Sequence, residues 1–438
     1  MDDKPDIPDS FDDRRVFFFL MVLFLTFAIS GWFFLGPGAD RQTGRNGRIK
    51  LIVATPSPGR GDMPEQLLAE EFMARHPEID VEIRPILGNY YQKLLIMIAG
   101  GIAPDLMWMG QSFNEFADRG AFLDISDRLA EIDTGMFLPQ VLEWYRRDGR
   151  QFAIPYGIDL IFLAYNKHLF NEAGVTYPTP EWDFKEFIEK TQRLTVDRDG
   201  DGRIDQYGFR AQLDPSLFGA QFLSPDGRKA TCNTPEMIDF LQTNLDLVHR
   251  YKICPHREEI HQQGLDAFTL FRQGRAAIQR LATWDLARAR ERWADLDWDI
   301  CVNPRVRRSG HWASSNAYCI SAQTRHPDHA WELMKIYFSP KFQKLMASRN
   351  VPTNQQVARE MIAGHRGKPQ NLRALIQATE SLCPFPRVPN LDELKQYWQD
   401  GCSQVWTRQA SPAQVMALVE KQINRAIANT RHGRPPRP

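Results

Sequence analysis

Residues 152–166 read FAIPYGIDLIFLAYN. The run is long and mostly apolar, with Pro155 and Gly157 near its start, which predicts one extended segment. A set of alternating strands and helices stands on each side of it. The run therefore marks the place where one α/β body gives way to another.

On its N-terminal side, residues 49–54 form a short apolar strand that runs into the loop Thr55-Pro56-Ser57-Pro58-Gly59. Asp62 is placed to cap a helix from Met63 or Pro64, with Leu68 and Phe72 on one face. Residues 81–84 alternate as a strand, residues 89–99 form a helix stopped by Gly100-Gly101, residues 105–109 form a strand, and a helix starts at Ser112. Strand–helix alternation predicts a mostly parallel sheet with helices on both faces. Ligands of such sheets sit beyond the carboxyl ends of the strands, here 55–59 and Gly110-Gln111-Ser112.

On the C-terminal side, helices are predicted over 183–194, 234–252 and 266–280, strands over 298–302 and 316–321, and helices over 328–338, 340–348, 391–408 and 411–429. There is no internal repeat and no low-complexity segment. Apolar residues at 43% and charged residues at 25% suit a folded globular chain, whose 438 residues allow two to three domains. Basic and acidic residues balance at 54 each, which gives no nucleic-acid footprint. The six cysteines (232, 254, 301, 319, 383, 402) show no metal spacing. Cys301 and Cys319 read as buried small hydrophobes, and Cys232 with Cys254, or Cys383 with Cys402, would be the pairs in an oxidising compartment.

Residues 16–35, VFFFLMVLFLTFAISGWFFL, carry no charge. A helix of that length rises about 30 Å, enough to cross a bilayer, so the remainder is expected to be exported or tethered. The run is longer than a secretory h-region, and the best cleavage site, Gly36-Pro37-Gly38 before Ala39, is weak. An uncleaved anchor is thus favoured over a cleaved signal, and Arg14-Arg15-Val16-Phe17 also resembles a twin-arginine export signal. No cysteine follows the run, which excludes a lipoprotein anchor. Lys4, Arg14 and Arg15 before it and Arg41, Arg45, Arg48 and Lys50 after it leave orientation open.

Seven stretches taken together carry a resemblance: LLAEEFMARHPEIDVEI, YYQKLLIMIAGGIAPDLMWM, FADRGAFLDISDRL, FAIPYGIDLIFLAYNKHLFNEAGV, WDFKEFIEKTQRLT, LFRQGRAAIQRLATW and HPDHAWELMKIYFSPKFQKLM followed by Val351-Pro352-Thr353. None is diagnostic alone, but in this order and spacing, over nearly all of 50–425, the chain resembles the extracytoplasmic solute-binding proteins of ABC transporters, in the sugar-binding family 1 branch. The resemblance implies an α/β, two-lobe periplasmic-binding-protein-like type II fold with a hinge. Lobe 1 would take 48–157 and 312–368, and lobe 2 158–311 and 369–430. Residues 1–15 would be a cytoplasmic tail, 16–35 the transmembrane helix, 36–47 a linker and 431–438 a frayed end. The lobes would close around a sugar or oligosaccharide. The protein would work as a monomer on the periplasmic face of the cytoplasmic membrane and deliver its ligand to ABC permease subunits. A tethered sensor whose closed lobes engage a membrane partner is the alternative.

Sugars offer C–H faces and a rim of hydroxyls, so their recognition uses aromatic plates and planar polar groups. The candidates are Tyr156 and Asp159 in the crossing segment, Tyr90 at the start of the second helix, Gln111 and Ser112 after the Trp108 strand, and Ser314, Ser315 and Asn316 before AYCIS. Trp284 ends LATW, where the family places a stacking aromatic. Trp182 reads as a packing staple, Trp108, Trp298 and Trp331 as core, and Trp312 as either core or plate. The run Arg305-Val306-Arg307-Arg308 reads as a solvated loop, with contact to an anionic ligand as the alternative.

Residues 197–205, DRDGDGRID, have Asp at loop positions 1, 3, 5 and 9 and Gly at 6, as a calcium loop requires. The candidate metal residues are Asp197, Asp199, Asp201, Arg203 and Asp205. Position 12 is Gly208 rather than the bidentate Glu, so the loop is one ligand short, and any Ca2+ would be structural. No cofactor is required. With 54 acidic residues, carboxylate pairs of glycosidase type are unavoidable and uninformative. No G-x-S-x-G, HExxH, P-loop or dinucleotide fingerprint is present, so a binder is expected rather than an enzyme.

Overall fold

In the computed structural model, which describes residues 47–56, 63–224, 227–256, 266–384 and 391–432, the segment at 152–166 is a single 14-residue strand, Ala153–Asn166. In chain order the strands are β1 (Ile49–Thr55), β2 (Ile79–Pro85), β3 (Leu106–Met109), β4 (Arg146–Arg147), β5 (Arg150–Gln151), β6 (Ala153–Asn166), β7 (Tyr207–Arg210), β8 (Ala276–Ala282), β9 (Trp298–Cys301), β10 (His311–Ile320), β11 (Val351–Pro352) and β12 (Leu382–Pro384). The main path runs β2-β1-β3-β10-β6-β8-β7.

β6 serves two bodies. Its first half, up to Leu160, pairs antiparallel with β10; its second half, from Ile161, pairs with β8 and β9. β1, β2 and β3 are mutually parallel, as alternation of strand and helix requires, and β10 then joins β3 antiparallel. The sheet is therefore mixed. Buried apolar side chains divide in the same way. Two clusters clothe the sheet of lobe 1: one holds Leu51, Phe72, Tyr156, Tyr318 and Trp331, the other Leu94, Met109, Phe113 and Phe116. A larger cluster fills lobe 2, with Phe162, Trp182, Phe209, Trp293 and Trp298. Among the described residues, only β6, β10 and the short strands beside them carry the sheet from one body to the other.

Local signals account for most helix starts. Asn89, Asp183, Thr234 and Asp266 each cap a following helix by accepting a backbone N–H two or three residues inside it. The helix Pro64–Arg75 departs from expectation: Met63 is its N-cap, with Pro64 in the first turn and no side-chain cap, and Asp62 lies outside the described residues.

The predicted helix over 266–280 is replaced by a helix Ala267–Arg272 and the strand β8. Gly274, at φ +70°, ends the helix. The Ala, Gln and Arg that follow are good helix formers, but pairing with β6 on one side and β7 on the other overrides propensity. β10 likewise begins at His311, so Ser314, Ser315 and Asn316 lie inside a strand and not before one. All six cysteines are free thiols, so neither proposed pair forms. The last helix runs to His432, into the stretch read as a frayed end. The apolar run 16–35 lies outside the described residues. Among those described, no helix is long and apolar enough to cross a membrane.

Candidate functional site

A cleft of about 440 Å³ opens between the two lobes, within the usual range for small-molecule sites. Lobe 1 contributes Asn114, Trp144 and Arg147, lobe 2 contributes Phe222, Arg308 and Cys383, and Trp312 stands beside Phe222 near the start of β10, a strand shared by the two bodies.

Each aromatic wall is set by local structure. Trp144 follows the short helix Pro139–Glu143 and stands at the foot of the β4–β5 hairpin. That hairpin turns at Asp148-Gly149, both with positive φ, as a two-residue type I′ turn requires. The next residue, Tyr145, is fully buried and donates its hydroxyl toward Met109 O at 3.1 Å and Ser315 O at 2.6 Å. This ties the hairpin to β3 and β10 and fixes where Trp144 can stand. Trp144 packs against the apolar clusters of both lobes. On the opposite wall, Phe222 follows Gly219, whose left-handed φ of +78° ends a 3-10 turn. Its ring lies 5.8 Å from that of Trp312 and 4.4 Å, edge-on, from that of Trp398. Trp312 opens β10 opposite Cys383 of β12. It is half-buried and lies outside the three core clusters of the described residues. Arg147 is held by Asp118 through two hydrogen bonds, of 2.8 and 3.1 Å.

None of the eight sequence-predicted ligand residues lines this cleft. Tyr156 is buried in the lobe 1 core, where its hydroxyl accepts from Trp108 Nε1 at 3.0 Å and its ring meets Tyr318 and Phe342. Tyr90 is buried too, its hydroxyl spanning Ala54 O and Trp108 O, each at 3.1 Å. Both aromatics therefore act as struts of lobe 1. Ser315 is fully buried. Gln111 and Ser112 lead into the helix Phe113–Asp118, whose Asn114 does reach the cleft. Trp108, read as core, is only half-buried. A Cβ on Gly110 would lie 3.1 Å from its Cη2, 3.4 Å from Tyr91 Oη and 3.5 Å from Asn316 Oδ1, so these three side chains converge on Gly110.

Asp159 and Asn316 do come together, at the crossing. Asn316 Nδ2 donates to Asp159 Oδ2 at 2.8 Å, and Thr283 Oγ1 lies 3.4 Å from Asp159 Oδ1. The next residue, Trp284, is 49% exposed. This group ties β6 to β10 and to the end of β8. Burial pushes the Asp159 carboxyl up to about 6, against the opposing pull of the two hydrogen bonds. Between its ordinary 3.8 and about 6 the folded chain keeps a proton that the unfolded chain has lost. Stability is therefore expected to fall as pH rises through that window, by about 3 kcal/mol for this group, and to level off above it. Asp159→Asn should flatten the slope in urea melts between pH 4 and 6. An unchanged slope would refute the assignment.

In the Asp-rich loop, carboxylate oxygens of Asp197, Asp199 and Asp205 lie within 4.8 Å of one another. Asp197 accepts from Gly200 N at 2.8 Å and Gly202 N at 2.9 Å, and Asp205 accepts from Arg198 N at 2.8 Å. Asp201 stands apart from that trio and accepts from Arg203 N at 2.7 Å.

A family model described as bacterial extracellular solute-binding protein matches residues 60–344. The chain belongs to that family. Among characterised relatives of this solute-binding protein is the maltotriose-binding protein of Pyrococcus abyssi, 24% identical over 282 residues, covering 62% of this chain and 58% of the relative. Another is the arabinooligosaccharide-binding protein of Halalkalibacterium halodurans, 26% identical over 276 residues and 59% of each chain. The solute-binding protein thus spans under three fifths of the length of either. Its fold matches an ABC substrate-binding protein from Listeria monocytogenes solved in complex with cycloalternan, with a TM-score of 0.73 and 20% identity over 86% of this chain and 99% of that one. The family is one of binding proteins and not of enzymes.

Two sequence signals pointed to the missed walls of the cleft. Asp148-Gly149 is a hairpin turn that would have placed Trp144 at its base. Gly219, three residues before Phe222, marked a turn.

Proposed function

We propose that this solute-binding protein captures an oligosaccharide between its lobes and hands it to an ABC permease in the membrane. The observation that carries the reading is the inter-lobe cleft with indoles on both walls, Trp144 on one and Trp312 beside Phe222 on the other. Such rings can sandwich the C–H faces of sugar rings while Asn114 and Arg147 meet hydroxyls. The relatives support it, since those named above are called maltotriose- and arabinooligosaccharide-binding proteins. In this reading the protein acts as a monomer outside the cytoplasmic membrane, held there by residues 16–35. The test is a thermal-shift screen of residues 39–438 against mono- and oligosaccharides. A ligand at a hundred times its dissociation constant adds about 2.7 kcal/mol of stability. Absence of a shift with every saccharide, glucans and arabinans included, would count against the proposal.

We also propose that the Asp197, Asp199 and Asp205 carboxylates hold a structural Ca2+. Three convergent hard oxygen donors support this reading. Millimolar CaCl2 should raise the melting temperature, EGTA should reverse the rise, and Asp197→Asn should abolish it. A melting temperature indifferent to CaCl2 would rule the ion out.

A further inference from the structure

We infer that the guest is an acidic oligosaccharide, one bearing a carboxylate that Arg308 reads. This rests on the cleft being the ligand site, and it names which sugars the site selects.

Among the described residues, three arginines and one glutamate line the cleft. Two of the arginines are already matched: Arg147 by Asp118 in a bidentate pair, and Arg146 by Glu143 at 2.9 Å. Arg308 is not. Among the described residues its guanidinium has one hydrogen-bond partner, the Cys383 thiol, with Nη2 to Sγ at 3.0 Å. A thiol is a weak acceptor and carries none of the charge that a guanidinium ordinarily meets. Among the described residues, one positive charge is thus left without a carboxylate at the wall that also carries Trp312.

The Arg308 side chain is exposed, and the backbone beneath it is fixed. The backbone N–H groups of Arg307 and Arg308 both donate to Leu217 O, at 3.0 and 3.2 Å. Two residues earlier, Arg305 N donates to Trp182 O at 3.0 Å and Arg305 O accepts from Phe184 N at 2.9 Å. The Arg307 side chain pairs with Asp239 at 2.8 Å, which turns it away from the cleft. On the far side, Gly310 passes so close to Ser216 that a Cβ would meet its carbonyl at 2.7 Å, and Asn303 Nδ2 donates to Gly310 O at 3.2 Å. The run 305–308 is therefore a clamped edge strip of lobe 2. The stem of Arg308 lies over Gly219, 3.7 Å from where a Cβ would stand. A planar fork carried on a fixed backbone at the rim of the cleft is suited to a carboxylate approaching along its wall. A neutral sugar would leave that fork facing hydroxyls alone.

The test is isothermal titration of the full chain at pH 7 with matched ligands: a gluco- or galacto-oligosaccharide and the uronate oligomer of the same length and linkage. The uronate should bind roughly tenfold or more tightly, the usual scale of a charge-assisted hydrogen bond over a neutral one. Arg308→Gln should bring that ratio to about one, while Arg308→Lys, which keeps charge without the fork, should fall between. Raising the salt should shrink the preference. Equal affinity of neutral and acidic oligomers would overturn the inference and leave the cleft reading standing. A ratio that survives Arg308→Gln would also overturn it. If no oligomer of either kind binds, the cleft reading fails and this inference with it.

Discussion

Trp312→Ala is expected to weaken saccharide binding about thirtyfold while the protein stays folded. Trp312 lines the cleft and is half-buried. Phe222 flanks it, and it lies outside the apolar clusters that hold either lobe together. Its loss removes a ring from the ligand and little from the core. A central aromatic plate of this kind is worth about 2 kcal/mol, and 1.4 kcal/mol is a factor of ten in affinity. At a ligand concentration that gives wild type 2.7 kcal/mol of added stability, the variant should show about 0.9 kcal/mol, a third of the shift. The unliganded melting temperature should move by a degree or two only. Trp298→Ala makes the contrast: Trp298 is buried against Trp293 in the lobe 2 core, and its loss should cost about 3–5 kcal/mol whether ligand is present or not. A wild-type ligand shift in Trp312→Ala would remove this side chain from the site.

The division of the chain at 152–166 was legible because a long, mostly apolar run with no helical period has few other uses, and the observed strand, Ala153–Asn166, nearly coincides with it. The parallel pairing of the first three strands followed from the alternation of strand and helix. The site was much less legible. Tyr156 looked like a plate because it sits in the crossing strand, but position along a strand does not say which layer a ring enters, and here Tyr318 and Phe342 enclose it. Trp144 and Phe222 were passed over because each stands on a loop whose distance from the hinge depends on long-range packing: Tyr145 against β3 and β10 in one case, the turn at Gly219 in the other. Arg308 shows the same limit. Its run, 305–308, is exposed at all three arginines, as its charge suggests, but the hydrogen bonds that pin its backbone to Leu217 and Trp182 are not visible in the sequence. A sequence displays which groups are available; which of them face a common space is decided by contacts between residues far apart in the chain.

Gly208→Ala, a change of one methyl group, should cost about 3 kcal/mol or more of lobe 2 stability. Gly208 lies in β7, and a Cβ there would stand 2.0 Å from the carbonyl oxygen of Thr191 and 2.7 Å from its C and Cα. These are backbone atoms of the helix Phe184–Arg193, so no rotamer change can make room. Nor can the helix retreat freely: Phe187 meets Phe209 edge-on at 5.1 Å, and Gly208 N donates to Thr195 Oγ1, which itself donates to Thr191 O. Gly101 separates this effect from ordinary glycine strain. It has φ +68° with nothing within 4 Å of an added Cβ, so Gly101→Ala should cost about 1–2 kcal/mol from backbone conformation alone. Urea midpoints of the two variants measure the difference, and equal midpoints would mean that β7 and the helix are less tightly joined. The same contact explains why the Asp-rich loop lacks its twelfth ligand. Counted from Asp197, that position is Gly208, where a glutamate would have to pass through the Thr191 carbonyl. Packing between strand and helix occupies the place that a bidentate glutamate would need, so Gly208→Glu should lose stability in the presence of calcium as in its absence.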